Sequence, residues 1–278
     1  MNIYDLLQNE RKDREEKKTL IDVMISNLEE SQLTDVIDFI SDRYITNELR
    51  SYLNHNTMPK RDSIEFRFLA ISHRYQGNVI RKIMLKENIS TYYLNKFIDK
   101  YNLQEVSRGA YIFPGMMIDA QFVVQQQYSK AVVSHESALY IQGLSDVIPP
   151  KTIMSVPSNY KTSQILDSNW KAYQRDDDVE ILYDGNDPIQ IVGNNAVLAV
   201  DKKNVETNQG NPLRITTPER SIADVLKRTQ FVEEEIKVQA IKGYMQMYPK
   251  NRIKLRRVAK AQGVLEELDA YLNRYVSL

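Results

Sequence analysis

The segment Asn78–Pro114, NVIRKIMLKENISTYYLNKFIDKYNLQEVSRGAYIFP, constrains this chain more than any other. Asn88-Ile89-Ser90 ends one amphipathic run and opens the next. Ser90 has the hydroxyl of an N-cap, able to accept a hydrogen bond from a free first-turn amide. Leu94, Phe97, Ile98 and Tyr101 then recur at helical spacing and predict a helix over 90–101 with one face on a core. Its opposite face carries Thr91, Tyr92, Asn95, Lys96 and Lys100, groups that bond phosphates and base edges. Gln104–Ser107 and Ala110–Phe113 read as short strands joined by a tight turn at Arg108-Gly109. Two helices, a turn and a hairpin in this order are the layout of a winged helix-turn-helix.

Composition excludes several chemistries. At 278 residues, 42% hydrophobic and 27% charged, the chain suffices for two domains with real cores. It has no cysteine, hence no disulfide, thiolate zinc site or cysteine nucleophile, and its three histidines (His55, His73, His135) are scattered. Neither GxGxxG nor GxxxxGK[ST] occurs. No apolar run approaches the roughly 20 residues that span a bilayer, and MNIYDLLQNERKDREEKK does not resemble a secretory signal. The expectation is a cytoplasmic protein, not an enzyme, with no cofactor, metal or membrane association.

A net charge of zero conceals an uneven distribution. Residues 1–62 carry 9 Lys/Arg against 13 Asp/Glu, and residues 63–112 carry 8 against 4. Residues 242–260 carry 7 basic side chains and no acidic one. A basic run is usually a solvated face; here one run coincides with a DNA-reading layout, which favours phosphate contact.

Elsewhere, apolar stripes Leu20/Val23/Met24/Leu28 and Leu33/Val36/Ile37/Ile40 predict helices with a break near Ser31, followed by a helix over Ile45–Leu53. Residues 63–75 read as a further helix and Asp119–Tyr128 as another. Ser134 is placed to cap a helix over His135–Gln142 that Gly143 closes. His135 reads as a structural hydrogen-bonder, with ligand or base as the alternative. Strands are expected at Thr152–Val156, Trp170–Tyr173, Val179–Tyr183, Ile189–Val192 and Ala196–Val200, with turns at Asp184–Pro188 and Gly193–Asn195. Thr216-Thr217-Pro218-Glu219 starts a helix, and others cover about 233–247, 253–262 and 264–275.

The resulting expectation is an α+β protein. It has an acidic helical extension (1–62), a winged helix-turn-helix domain (63–115), and a mixed α/β C-terminal domain (116–278) that is β-rich over 150–216 and ends in a helical bundle over 217–278.

The order of segments resembles the AbiEi family, antitoxins and transcriptional regulators of bacterial abortive-infection toxin–antitoxin systems. STYYLNKFIDKYNLQEVSRGAYIFPG resembles its recognition helix and wing, and KAVVSHESALYIQGLSDVIPPKTIMSVP its Ser-His-x-x-Ala-Leu helix and following strand. ITTPERSIADVLKR resembles its Pro-Glu-Arg helix start, and IKGYMQMYPKNRIKLRRVAKAQGVLEELDAYL its closing helices. The resemblance runs from Gly77 to the end, while residues 1–62 have no counterpart in it and 184–212 are longer and more polar than usual. It implies a repressor that autoregulates its operon and neutralises a nucleotidyltransferase toxin without a stable complex.

For the reading head, Ser90, Thr91, Tyr92, Asn95, Lys96, Lys100 and Arg108 are the candidate DNA-binding residues. Asn95 is suited to adenine, while Lys100 and Arg108 are suited to the backbone, with Arg108 at the wing tip toward the minor groove. Such a module binds inverted repeats in its own promoter as a dimer or as two cooperating monomers. Arg252, Lys254, Arg256, Arg257 and Lys260 form a second candidate surface, for the antitoxin effect or for nucleic acid. Glu219, Arg220 and Asp224 read as a capped helix with an i, i+4 ion pair, the alternative being a surface that acts on the toxin. Two competing readings are an interaction protein that sequesters a partner through residues 1–62, and an orphan regulator of a mobile element. A nuclease built on Asp176, Asp177, Asp178 and Glu180 lacks the spaced lysine it would need.

Overall fold

The computed structural model of the chain describes residues 14–40, 42–56, 59–161, 163–166, 171–175, 178–183, 186–227 and 232–276. The expected positions of Trp170, Asp176, Asp177, Asp184 and Gly185, and of residues 1–13, lie outside these. The protein is mixed α/β and divides into two compact units, residues 1–67 and 68–278.

In the first unit, α1 (Arg14–Asn27), α2 (Glu30–Ile37) and α3 (Arg43–Asn56) enclose a core of Leu20, Met24, Leu33, Ile37, Ile45 and Leu49. The break expected at Ser31 falls instead at Leu28-Glu29, because the Gln32 side chain reaches back to accept from the Glu29 amide at 2.9 Å. Asp42 starts α3 by accepting from the amides of Tyr44 (2.9 Å) and Ile45 (3.2 Å). Its carboxylate lies 2.6 Å from Lys17 Nζ, and that hydrogen bond, with the two amides, holds its pKa below the ordinary value.

Helix α4 (Ile64–Arg74) leads toward β1 (Asn78–Ile80), α5 (Arg81–Lys86) and α6 (Thr91–Lys100), then β2 (Gln104–Ser107) and β3 (Ala110–Ile112). The strand order is β1-β3-β2, all antiparallel. Strand β1 is absent from the sequence reading, which took the stretch before Asn88 as one amphipathic run. Val79 and Ile80 belong to the sheet because they pair with Tyr111 and Ala110, a partner unknown to local periodicity. Asn88 adopts φ 63°, which asparagine tolerates, and turns α5 into α6.

The second sheet has the order β6-β7-β8-β5-β4-β10-β9. It follows α7 (Ala120–Gln127) and is built from β4 (Val132–Val133), β5 (Thr152–Pro157), β6 (Lys171–Arg175), β7 (Asp178–Tyr183), β8 (Asn186–Asn194), β9 (Lys202–Glu206) and β10 (Pro212–Thr216). Helix α8 (His135–Ile141) intervenes between β4 and β5, and the short α9 (Ser163–Leu166) follows β5. Pairing is parallel between β5 and β8 and between β4 and β10, and antiparallel elsewhere. One core joins the two sheets: Ile80, Ala110 and Ile112 pack with Phe122, Val124, Met154, Ile189 and Ile215. The closing helices are α10 (Pro218–Lys227), α11 (Glu234–Met247), α12 (Arg252–Gln262) and α13 (Leu265–Tyr275). They share a core of Ile222, Leu226, Ile241, Tyr244, Leu255, Leu268 and Leu272 with Leu139 of α8.

Three local expectations fail here. Ala196–Val200 is not a strand: β8 stops at Asn194, a 3-10 turn covers Ala199–Asp201, and Leu198 and Val200 stay exposed. The cause is Arg220, whose guanidinium draws the carbonyls of Asn195 (2.9 Å) and Ala196 (3.4 Å) away from any ladder. Of the turn expected at Asp184–Pro188, Asn186–Pro188 belong to β8, whose Asn186 pairs antiparallel with Tyr183, and the turn expected at Gly193–Asn195 is overridden because Gly193 and Asn194 pair with Val156 and Pro157. Ser134 does not cap α8, since its hydroxyl bonds His135 Nδ1 (2.8 Å) and Ser155 Oγ (2.7 Å).

Arg220 and Asp224 are the i, i+4 pair of the structural reading, but both are fully buried, at 2.8 Å. Asp224 Oδ1 also accepts from Asn194, which in turn donates to Ser155. Burial pushes the Asp224 carboxyl up, and Arg220 and Asn194 oppose that shift. Breaking a buried pair leaves an uncompensated charge and costs about 3–5 kcal/mol, whereas replacing both members can be neutral. Arg220→Met is therefore expected to lower the urea-unfolding free energy by about 3–5 kcal/mol, and Asp224→Leu in the same chain to restore much of it. A loss below about 1 kcal/mol in the single variant would show the pair to be dispensable.

Candidate nucleic-acid interface

Helix α6 is held by its inner face. Leu94 and Phe97 are buried, and Phe97 lies 4.9 Å from the Phe68 ring. Tyr101 stacks on Phe68 at 5.9 Å and meets Phe113 at 5.8 Å, so four aromatic rings set the position of the helix. Tyr93 is half-buried and stacks on Phe97 at 6.2 Å.

The outer face matches the sequence expectation in its exposure. Thr91, Tyr92, Asn95, Lys96 and Lys100 are all exposed, Tyr92 at 72%. Ser90 is committed to the helix end, where its Oγ accepts from the Tyr93 amide at 3.4 Å. Lys100 Nζ sits 5.7 Å over the Tyr101 ring. Arg108 is exposed at the hairpin tip, and Gly109 beside it takes φ 72°, a conformation that favours glycine.

Arg81 is the member that the sequence reading missed. Its Nη2 donates to Asn95 Oδ1 (3.2 Å) and to the Tyr111 hydroxyl (3.1 Å), and its own amide donates to Gly109 O at 2.8 Å. One arginine thus ties the start of α5, the outer face of α6 and the hairpin into a fixed relation. Lys82 and Lys86 on α5 are exposed beside it. A basic pair directly after Val79-Ile80 was the available signal. Its meaning depended on β1, which sequence did not reveal.

The second candidate surface is divided. Lys254 Nζ is 2.8 Å from the buried carboxylate of Glu219, and Arg256 pairs with Asp269. Arg257 and Lys260 are exposed and Arg252 is half-buried, so the five do not form one free cationic face. The correction has a simple origin: α12 buries Leu255 and Ala259 against α10, and residues flanking that stripe reach carboxylates of neighbouring helices. Glu219 also accepts from the Tyr244 hydroxyl at 2.8 Å. Burial alone would raise the Glu219 pKa, but the hydrogen bonds from Lys254, its own amide and Tyr244 outweigh it and hold the group below its ordinary value of 4.5. Burial, then Glu219, pushes the Tyr244 hydroxyl far up.

His135 is buried with φ 52°, an uncommon conformation for a non-glycine residue, and its Nδ1 meets Ser134. Glu180, one of the nuclease carboxylates, pairs with Lys151 at 2.8 Å. Among the described residues, no group of three or more histidine or acidic side chains gathers as a metal site, and no helix is long and apolar enough to cross a membrane.

Compared with family models and with curated proteins, the sequence matches none. Among solved structures it is similar to the crystal structure of the RV2827C protein from Mycobacterium tuberculosis, at 10% identity and a TM-score of 0.34. That likeness covers 76% of this chain and 80% of the other, and at this level it carries no argument.

The Glu219–Lys254 contact sets a pH dependence. A carboxyl whose folded pKa lies below 4.5 binds protons more readily when unfolded, so it contributes stability above 4.5 that is lost as pH falls through the folded value. In Lys254→Met the largest lowering influence is lost and the Glu219 pKa moves up toward its ordinary value. The Glu219 contribution then shrinks, and stability should fall less steeply on acidification than in the parent chain. Urea-unfolding midpoints across pH 4.5 measure the difference, and parallel curves would remove Lys254 from that role.

Proposed function

We propose that this chain is a DNA-binding transcriptional regulator that reads its own promoter through a winged helix-turn-helix spanning Asn78–Phe113. The observation that carries the reading is α6. Its inner face is fixed by Phe68, Phe97, Tyr101 and Phe113. Its outer face presents Thr91, Tyr92, Asn95 and Lys96 beside an Arg-Gly hairpin tip. A rigid helix with an exposed row of hydrogen-bonding side chains is the form that enters a major groove, and the hairpin flanks it.

In this reading Asn95, steadied by Arg81, donates to and accepts from an adenine edge. Lys96, Lys100 and Arg108 contact phosphates, and Ser90 acts as the cap of the reading helix rather than as a base contact. Two copies on an inverted repeat supply affinity and symmetry.

The wider role, autoregulation of a toxin–antitoxin operon and neutralisation of a nucleotidyltransferase toxin without a stable complex, rests on the resemblance to the AbiEi family. Neutralisation belongs to residues 116–278 in that scheme, with Arg252, Arg257 and Lys260 as the cations left outside ion pairs. Residues 1–67 form a compact unit with their own core, which favours a second reading: a partner held directly by that unit. Growth rescue of toxin-expressing cells by a chain lacking residues 1–62, with no toxin co-purifying, supports the first reading. Co-purification that depends on residues 1–62 supports the second.

The reading head is tested by anisotropy titration of the promoter duplex over a salt series. Asn95→Ala should weaken binding by about 1–3 kcal/mol, roughly 5- to 150-fold, and relax preference at one base pair. Arg108→Ala should weaken all duplexes alike and lower the slope of log K against log salt by about 0.9. Unchanged binding by both variants sinks the proposed head.

A further inference from the structure

The last turn of α7 is fastened on two sides. Gln127 Nε2 donates to Ser107 Oγ and to Arg108 O (3.0 Å) at the hairpin tip. Two residues earlier, the Gln125 side-chain amide pairs with the backbone of Arg214 as a neighbouring strand would. It donates to Arg214 O at 2.7 Å and accepts from Arg214 N at 2.9 Å. The tip carrying Arg108 and the middle of β10 therefore flank one helical turn, and Lys130 follows that turn directly.

Cations collect around it. Thr216 pairs with Lys202 and Arg214 with Asn204, so Lys202 and Arg214 occupy the same face of the β9–β10 ladder two positions apart. Lys130 is exposed, while Lys202 and Arg214 are half-buried. Burial, then the charges of Arg214 and Lys130, depress the Lys202 pKa, so each of these two cations lies near enough to repel Lys202. Among the described residues, no carboxylate pairs with any of them. Arg214 Nε is buried with no hydrogen-bond partner. On the hairpin, Glu105 accepts from the Gly109 amide at 3.1 Å within the tip itself, and Glu206 shares the ladder face only at its far end, opposite Pro212, where it is exposed.

A purely structural role covers only part of this. Cations are favoured at a helix C-terminus, and Arg214 Nη2 does donate to Gln125 O at 2.8 Å. That contact uses neither lysine and leaves Nε idle. Two cations that repel Lys202 cost stability unless an anion joins them. Cations spread from the hairpin tip to the β9–β10 ladder suit a series of phosphates better than a single enclosed ion.

We propose that Lys130, Lys202 and Arg214 form a second phosphate-binding surface, contiguous with Arg108, along which the backbone of duplex DNA runs beyond the hairpin. The proposal rests on the DNA-binding reading above. It extends the footprint from the reading head onto the edge of the large sheet.

The test uses the full chain and its promoter duplex, by anisotropy over a salt series, with Lys130→Ala/Lys202→Ala and, as an exposed single change, Lys130→Glu. The double variant should lower the slope of log K against log salt by up to about 1.8, two phosphates at about 0.9 each. It should also weaken promoter and unrelated duplexes by the same factor. Its thermal midpoint should stay level or rise, because repulsion is relieved, an outcome a structural role would not give. Lys130→Glu should likewise weaken binding at an unchanged midpoint. Parent binding with an unchanged slope in both variants overturns the second surface and leaves the reading head standing. A parent chain that binds no duplex overturns both.

Discussion

A guanidinium without solvent access cannot give up its proton and cannot go without acceptors, and the second unit is arranged around one. Arg220 donates to Asp224 and to two backbone carbonyls just past β8. Asp224 holds Asn194, Asn194 holds Ser155, and Ser155 meets Ser134 at the head of α8. The chain of contacts joins α10, the end of β8, the middle of β5 and the start of α8. Each element could shift only by leaving a buried polar group unsatisfied, which costs more than the bond itself contributes. The neighbouring Glu219, with Tyr244 and Lys254, extends the same logic to α11 and α12.

A second hub sits at α7. Asp119 caps the helix by accepting from Phe122, takes Asn211 at 2.9 Å and bonds Thr207, while its own amide donates to Asn78 at 3.1 Å. At the other end Gln125 and Gln127 hold β10 and the hairpin tip. The helix therefore fixes the three-stranded sheet against the seven-stranded one at both of its ends, over the shared core. For the phosphate contacts proposed above, that rigidity matters more than any single contact, since spacing between cations decides which phosphates they reach.

Much of the local structure was legible. The Ser90 cap, the Leu94/Phe97 stripe, the Arg108-Gly109 turn and the Thr216–Glu219 helix start all depend on neighbours within a few residues, and the structure has them. Failures occurred where a distant partner overrode the local signal. Val79 and Ile80 became a strand because Tyr111 and Ala110 were available to pair. Ala196–Val200 lost its strand to the demands of Arg220. Ser134 has the right residue type for a cap, yet Ser155 and His135 claim its hydroxyl. Of the basic run 252–260, charge was readable but pairing was not: Glu219 and Asp269 come from other helices.

By itself, then, the sequence determined most of the helices and several strands, which face of α6 is polar, and where most helices start and stop. Those properties follow from spacing, caps and turn residues, all of them short-range. Only the tertiary structure decided the parallel pairings of β4 with β10 and of β5 with β8, and the burial of Arg220. It alone brought Arg81 onto Asn95, and Lys202 and Arg214 onto one face of the β9–β10 ladder beside α7. Such contacts reach far along the chain, 14 positions for Arg81–Asn95 and 89 for Gln125–Arg214, and which of many chemically suitable partners meet is settled by the packing of whole elements.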